Sequence, residues 1–413
     1  MTAGYDIVIV GGGLAGACAA ALLVRHGGIE PQRIALLAGE LPAASGPDAP
    51  PELRVVAISR ASERVLRAAD AWPRLDQARL CAYERMRVWY LSSAAAGEAG
   101  LESGLCFDAA DIGEPNLGFI AENGALLRAC IDSFRAAGGS LIAGQLLSAR
   151  IDAGGVRLQC TDGRELTARL LVGADGAHSL VRECAGLTVR THDYRQLAIV
   201  ATVRSERAHA NTAWQRFLPT GPLAFLPLFD GSCSIVWSID EALAPELAAC
   251  DGAQFGERLQ AAAGGVLGAI TLASERASFP LRSMAAQSYI APRCALIGDA
   301  AHVIHPLAGQ GANLGLLDAA ALCEAVAGAT AEREDPGALR VLRGYEQRRR
   351  THNLVMDAAM SAFQSGFGAD FGPAAWLLDR GLSLVNRSAM LKRAFARQAL
   401  GTAGELPRLA RAS

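Results

Sequence analysis

Residues 5–16 read YDIVIVGGGLAG: a β-rich run from Tyr5 to Val10, a glycine-rich turn, then an Ala/Leu-rich helical stretch reaching about His26. Each glycine has its own task in a nucleotide-binding strand–turn–helix. Gly11 permits the tight turn, Gly13 lets a pyrophosphate approach the backbone, and Gly16 lets helix and strand pack closely. A second buried strand at Arg33–Leu37 completes a right-handed β-α-β unit of the expected length, so the fold class is α/β with a parallel sheet. A lone G-x-G-x-x-G is a weak signal; the strand before, the helix after and the second strand on schedule supply its context. One position departs from the pattern. The acidic residue expected to grip an adenosine ribose at the end of the second strand is replaced by Ala38, with Glu40 two places later.

A second loop of this kind lies far downstream. GDAAHVIHPLAGQGANLGLLD, residues 298–318, follows the apolar run Cys294–Ile297 and leads into another Ala/Leu-rich helix. A buried strand ending at Ile297 delivers Asp299 as an acceptor for sugar-like hydroxyls, and the Gly309-Gln310-Gly311 turn brings bare backbone against a flat ligand at a helix start. The free N–H groups of that first turn stabilise negative charge, such as that at one edge of a reduced flavin ring. Taken alone, the loop is equally compatible with a strand-to-helix connection that only packs.

Between the two loops the chain divides by pattern. Residues 42–51 are an irregular Pro/Ala/Gly-rich loop, LRVVAIS at 53–59 resumes order, and an amphipathic helix covers Ser62–Ala69. Arg54, where loop meets structure, is either a surface arginine or a contact to cofactor or substrate. MRVWYL at 86–91 reads as a strand and Gly124–Ala137 as a helix introduced by Ala121-Glu-Asn123. Three strand-like runs between Gln145 and Val172, separated by Gly154-Gly155 and Asp162-Gly163, form a β-meander. They feed GADGAHS, residues 173–179, where Asp175 is either a dinucleotide contact or an ordinary Asp-Gly turn. The runs 196–203, 214–218, 221–229 and 233–239 are successive strands of an antiparallel sheet, crossed by a helix at 253–268. This divides the chain into a discontinuous nucleotide domain (1–80, 101–186, 286–330), an inserted sheet domain (81–100, 187–285) and a C-terminal helical region (331–413), helical from Asp318 to about Phe363 and again to about Leu400.

Composition excludes several classes. At 413 residues the chain is long enough for two domains and a large core. No uninterrupted apolar run of bilayer-spanning length is evident in its 51% hydrophobic residues, and the N-terminus enters a strand without an export signal, so a cytoplasmic enzyme is expected. A net charge of −2 offers no basic field for nucleic acid. Ten scattered cysteines without a CxxC suggest reduced thiols, and no metal constellation is present; His302 and His305 lie three apart, but His302 reads as readily as a packed histidine. The one lysine, Lys392, stands against 38 arginines, a bias ascribed to codon usage.

GGGLAG, GADGAHS and GDAAHVIHPLAGQGANLG, in that order and at these separations, resemble the class A flavoprotein monooxygenases of the para-hydroxybenzoate-hydroxylase fold. HPLAGQGANLGLLD, residues 305–318, is similar to the signature of the ubiquinone-biosynthesis hydroxylases within that group, and the likeness covers nearly the whole chain. It implies a Rossmann-type FAD domain with an inserted antiparallel-sheet substrate domain. It also implies pyrophosphate contacts at Gly11, Gly13 and Gly16, ribityl contact from Asp299, and the isoalloxazine edge against the backbone of Gly311, Ala312 and Asn313, with Arg54 and Asn123 nearby. Asp175 belongs to a motif associated with both FAD and NAD(P)H; Arg54, His305 and Gln310 are candidates beside the reacting ring. The implied reaction has NAD(P)H reduce FAD and one atom of O2 enter a polyprenylated phenol by way of a C4a-hydroperoxyflavin. The phrases PPELRVVAIS, GPLAFLPL, CSIVWS and RQALG are most similar to the branch acting at ring carbon C5, with C1 or C6 as alternatives. That chemistry needs a dry site, which suits an apolar pocket between flavin and the sheet of residues 196–240. No residue is identifiable as a phenol-activating base. The expected partners are the prenylphenol, O2, other proteins of the pathway, a second copy of the chain and the inner membrane face. For the last, the basic, apolar-interleaved segment 389–400 is a candidate, although a helix end packed on its own domain is the simpler reading. Two rivals are a flavoenzyme of another reaction, such as a halogenase or prenyl reductase, and a non-catalytic flavin-bearing scaffold, which only Ala38 favours.

Overall fold

The structure, a computed structural model, describes residues 3–43, 46, 48–90, 104–304, 310–367 and 405–412. Its first core is a sheet ordered 290–291, 294–296, 170–173, 7–10, 34–38, 140–143. All neighbours run parallel except the first pair. The strands Ile7–Val10, Ile34–Ala38, Leu170–Gly173 and Cys294–Leu296 are buried throughout, as parallel strands covered on both faces must be. The helices Leu14–His26, Asn123–Ala136 and Gln310–Ala331 supply the cover, the first packing against both others.

Gln310–Ala331 contains the 21-residue stretch Gly311–Ala331, long and apolar enough to cross a membrane by length and composition, although Asn313, Asp318 and Glu324 keep it from being an uninterrupted apolar run. It is mostly buried: Leu314, Leu316, Leu317, Ala319, Leu322 and Val326 are each 2% exposed or less. Its apolar surface is thus used by the protein's own core.

The expected meander is present, but its last run is two strands. Glu165–Ala168 closes a sheet with 155–160 and 146–152, and after Arg169 the chain enters the core as Leu170–Gly173. Beyond Asp318 the expected continuous helix is two, Gln310–Ala331 and Leu339–Phe367, because Asp335-Pro-Gly337 interrupts the pattern. The segment 389–400 lies outside the described residues. Residues 405–412 return to the first core, where Leu406 and Ala410 are buried and Leu409 N–H donates to Glu324 at 3.1 Å.

The second layer is a nine-stranded sheet ordered 302–303, 277–286, 189–205, 233–240, 221–227, 212–218, 85–90, 105–108, with 270–272 added beside 189–205. Only 212–218 and 85–90 run parallel. Its membership corrects the boundaries read from sequence at two places. Leu105–Asp108, expected in the nucleotide segment 101–186, pairs with Arg85–Tyr90 and buries Leu105 and Phe107 on the large sheet. Cys81–Tyr83, expected in the inserted segment 81–100, joins 55–59 and 118–122 in a separate three-stranded sheet. Strand partners distant in sequence decide both, and no local pattern marks them.

One face of the large sheet is closed by the helix Gly252–Ala263, whose Phe255, Leu259 and Ala263 pack with Ile199, Leu223, Phe225, Ile235 and Trp237. The other face meets the three-stranded sheet at one end: Ala213, Leu226, Leu105 and Phe107 pack with Ala57, Tyr83 and Ile120.

Candidate functional site

Three neighbouring parallel strands, 7–10, 170–173 and 294–296, end at one edge of the first sheet. The register pairs Gly173 with both Val10 and Leu296, so GGGLAG, GADGAHS and GDAAH leave the sheet side by side. Ligands of open parallel sheets bind outside such carboxyl ends. Steric interlocking holds the loops together. Gly11 has φ +115°, and a Cβ there would lie 2.2 Å from the Ala174 carbonyl oxygen. A Cβ on Gly16 would lie 2.1 Å from the Gly11 carbonyl oxygen, and one on Gly298 or Gly315 would meet Ala15 at 2.9 or 3.1 Å. The first and last motifs therefore touch through Ala15. Arg182, buried, donates to Ala300 O at 3.0 Å and Ala177 O at 2.8 Å, tying the middle motif to the last.

Two glycines behave differently. At Gly13 (φ −71°) and Gly311 an added Cβ would meet nothing within 4 Å, so neither backbone strain nor internal packing demands glycine. Gly13 is exposed and caps Leu14–His26 without a side-chain hydrogen bond, and no acidic residue occupies that helix's first turn. Gln310–Ala331 likewise begins without an acidic residue. Open space over bare backbone at two helix starts without an acidic first turn fits an anionic, flat dinucleotide such as FAD.

The other sequence candidates fall around this cradle. Asp299 is exposed between buried Gly298 and Ala300, its carboxylate turned out of the core. Asp175 is engaged within the chain: Oδ1 accepts from Ser179 Oγ at 2.5 Å and Oδ2 from Val181 N–H at 3.0 Å, opening the short helix Leu180–Cys184. Arg54 is exposed, and its carbonyl accepts the Asn123 N–H at 3.0 Å, so these two candidates adjoin. That junction is braced by buried Glu122, which receives Arg79 at 2.7 and 2.8 Å and Glu52 N–H at 2.8 Å, while Glu52 accepts Gly124 N–H at 2.7 Å. Gly311 and Ala312 are half-buried at the helix start. His305 lies outside the described residues, as does the Gln310 side chain. Ala38 has a packing reason, since a Cβ on Gly12 would already lie 2.6 Å from the Ala38 Cβ; Glu40 is exposed.

Asn313 does more than lend backbone. Its Oδ1 accepts Ser59 N–H at 3.0 Å and its Nδ2 donates to Ala57 O at 2.8 Å, fastening the cradle helix to the strand Val55–Ser59. Asn313→Ala is expected to cost about 1–3 kcal/mol by leaving buried backbone groups unpaired, read as a lower urea midpoint.

Beneath the cradle lies a polar cluster that the sequence did not reveal. Asp318, fully buried, accepts from Gly298 N–H at 3.1 Å, Arg349 Nε at 2.7 Å and Asn353 Nδ2 at 3.3 Å, and lies 2.5 Å from His302 Nε2. Burial alone would raise its carboxyl, but attraction to His302 and Arg349 and their hydrogen bonds outweigh this and hold it far below the usual range. Arg349 also donates to Asn353 Oδ1 at 2.8 Å, and Tyr345 OH to Leu296 O at 2.6 Å. His302 is thus the packed histidine of the simpler reading. The described residues hold no metal-ligating group of His, Cys, Asp and Glu, and all ten cysteines are free, eight of them buried. Burial pushes the Cys233, Cys294 and Cys323 thiols up to about 12, where they are inert.

The large sheet reaches the cradle directly, since His302–Val303 pairs with Ala285 and Met284. On the face turned toward the three-stranded sheet, the cross-strand row Gln215–Ala224–Val236–Val200 lies beside the covered residues, followed by Ser238–Ala198–Phe279. Val200 and Val236 are half-buried and Phe279 is exposed, while Ala198 and Ala224 are buried without joining one of the described hydrophobic clusters. Small apolar side chains beside a cofactor cradle make a floor suited to a flat apolar ligand.

Comparison with known proteins agrees with this geometry. Residues 142–359 match the family described as an FAD binding domain. The chain is 35% identical to 3-demethoxyubiquinol 3-hydroxylase of Escherichia coli, across 96% of this chain and 98% of that protein. It is 37% identical to ubiquinone hydroxylase UbiL of Rhodospirillum rubrum, across 98% and 92%. The crystal structure of p-nitrophenol 4-monooxygenase PnpA from Pseudomonas putida superposes with a TM-score of 0.75 at 19% identity, covering 97% of this chain and 99% of that one, and shares the fold.

Proposed function

Because this chain belongs to the FAD-dependent ring hydroxylases of ubiquinone biosynthesis, enzymes that use O2 and a reductant such as NAD(P)H, we propose that it inserts one oxygen atom at ring carbon C5 of a polyprenylated phenol. The observation that carries the reading is the meeting of a three-loop dinucleotide cradle with a small-residue apolar sheet face. C5 rests on the phrases at 50–59, 221–228, 233–238 and 397–401. A second reading, oxygen insertion at C1 or C6, draws support from the E. coli relative, whose name places it on a demethoxyubiquinol.

Bound FAD supplies the oxygen activation, and the chain supplies position and dryness. In this proposal Gly11, Gly13 and Gly16 admit the pyrophosphate at the Leu14–His26 start, and Asp299 accepts from the ribityl hydroxyls. The N–H groups of Gly311, Ala312 and Asn313, in the first turn of Gln310–Ala331, would stabilise the negative charge that the flavin gains on reduction. Arg54 and Asn123 would line the same side, Asp175 would hold the loop shared with NAD(P)H, and His305 and Gln310 are the further candidates for the reacting ring. Val200, Ala224 and Val236 keep water from the reacting faces. The poorly soluble substrate arrives from the inner membrane face or a carrier, with the enzyme cytoplasmic and acting as a homo-oligomer among other proteins of the pathway.

The test incubates purified, FAD-loaded protein with a short-chain prenylphenol, NAD(P)H and O2 and locates the new hydroxyl by NMR. Insertion at C5 is expected. Insertion at C1 or C6 moves the pathway step, and oxygen consumption without any ring hydroxylation overturns the proposal.

A further inference from the structure

The apolar floor beside the cradle contains one carboxamide. Gln215 pairs across the sheet with Ala224 on one side and Val88 on the other, and Ala224 continues to Val236 and Val200. Directly opposed residues share a face, so the Gln215 side chain stands over the same surface as these apolar groups, between Ala213 and Phe217 of its own strand. The residue is 8% exposed and its side chain makes no hydrogen bond among the described residues, while its carboxamide atoms are not fully buried and keep contact with open space. Its strand neighbour Arg216, on the opposite face, donates from Nη1 to Ala262 O at 2.8 Å.

A carboxamide whose donors and acceptor stay accessible while the rest of the residue is buried can exchange water for the hydrogen-bonding group of a ligand. A glutamine left open in an otherwise apolar wall has the character of a binding-site polar group, which orients a ligand while the apolar lining supplies its affinity. The ligand chemistry that fits is a flat ring bearing an oxygen substituent, with a hydrocarbon remainder lying over Ala224, Val236 and Val200.

We propose that Gln215 is a specificity-determining residue: its carboxamide hydrogen-bonds an oxygen substituent of the substrate ring and thereby selects the ring carbon presented to the cofactor. The inference rests on the ring-hydroxylase reading above. Gln215 lies on the sheet and not on the cradle loops, so its replacement leaves the FAD site intact.

The test compares FAD-loaded wild type with Gln215→Leu on a short-chain prenylphenol and on an analogue lacking one further ring oxygen. On the full substrate the variant is expected to raise KM about tenfold, the worth of a neutral hydrogen bond. More hydrogen peroxide should form per NAD(P)H oxidised and the product positions should broaden, while FAD content and flavin absorbance stay unchanged. On the analogue lacking the bonded oxygen, wild type and variant should converge, which a purely structural role would not produce. Equal KM, coupling and regiochemistry on the full substrate, or an equal defect on every analogue, would overturn the assignment while leaving the hydroxylase reading in place. A wild type that hydroxylates none of the phenols would overturn both.

Discussion

Asp318→Ala is expected to destabilise the folded protein by about 3–5 kcal/mol, the usual result of removing one partner from a buried ion pair. The magnitude follows from what the substitution strands. Arg349, 1% exposed, would keep its charge without a counter-charge, and the Gly298 N–H, His302 Nε2 and Asn353 Nδ2 would each lose an acceptor. The cofactor site should suffer too, since Gly298 precedes Asp299 and its N–H is the bond by which the helix Gln310–Ala331 holds that loop. Urea unfolding read beside FAD affinity checks both effects. The double variant Asp318→Leu/Arg349→Met removes both charges and is expected to recover much of the stability, because well-packed apolar replacements of buried ion pairs are often neutral. Its FAD affinity should stay low, as the Gly298 N–H remains unpaired. A single variant with wild-type stability would show that the cluster contributes nothing. The pH dependence has a definite sign. A carboxyl whose folded pKa lies below its unfolded value contributes stability that is present above the ordinary carboxylate range and lost as pH falls toward the folded value. The cluster should therefore persist at neutral pH and through mild acid, and weaken only below about pH 4.

The second large effect separates ligand binding from folding. Gly13→Glu is expected to weaken FAD binding by about a hundredfold or more, through like-charge repulsion of the pyrophosphate and occupation of the space it needs. Thermal stability should hold, because Gly13 is exposed, its φ of −71° suits any residue, and a Cβ there meets nothing within 4 Å. A carboxylate at a helix N-terminus interacts favourably with the dipole, so the apo protein should be unchanged or slightly more stable. Isothermal titration of the apo protein with FAD, beside melting curves, reads both quantities. Unchanged FAD affinity would remove the pyrophosphate from this turn, and a large loss of stability would make Gly13 a packing residue like Gly16.

The nucleotide loops were legible in the sequence because their requirements are local. A tight turn, a bare backbone and an apolar strand leave their marks within a dozen residues, as YDIVIVGGGLAG and GDAAHVIHPLAGQGANLG do, and these motifs carried the family and the cofactor. The buried parallel strands and the alternating strands of the second sheet were legible for the same reason, each through its own period. What only the tertiary structure decided involves partners far apart along the chain. Gly11 and Gly16 are glycines because of contacts inside the protein, whereas Gly13 and Gly311 are not, a distinction invisible in the letters. The tie from Asn313 to Ser59 spans 254 positions, the Arg349–Asp318 pair spans 31, and the strand 105–108 belongs to the large sheet through its pairing with 85–90. Gln215 acquires meaning only once cross-strand register sets it in a wall of valine and alanine beside the cradle. Local conformational preference repeats along the chain and can be read from it; packing joins surfaces whose complementarity no short segment contains.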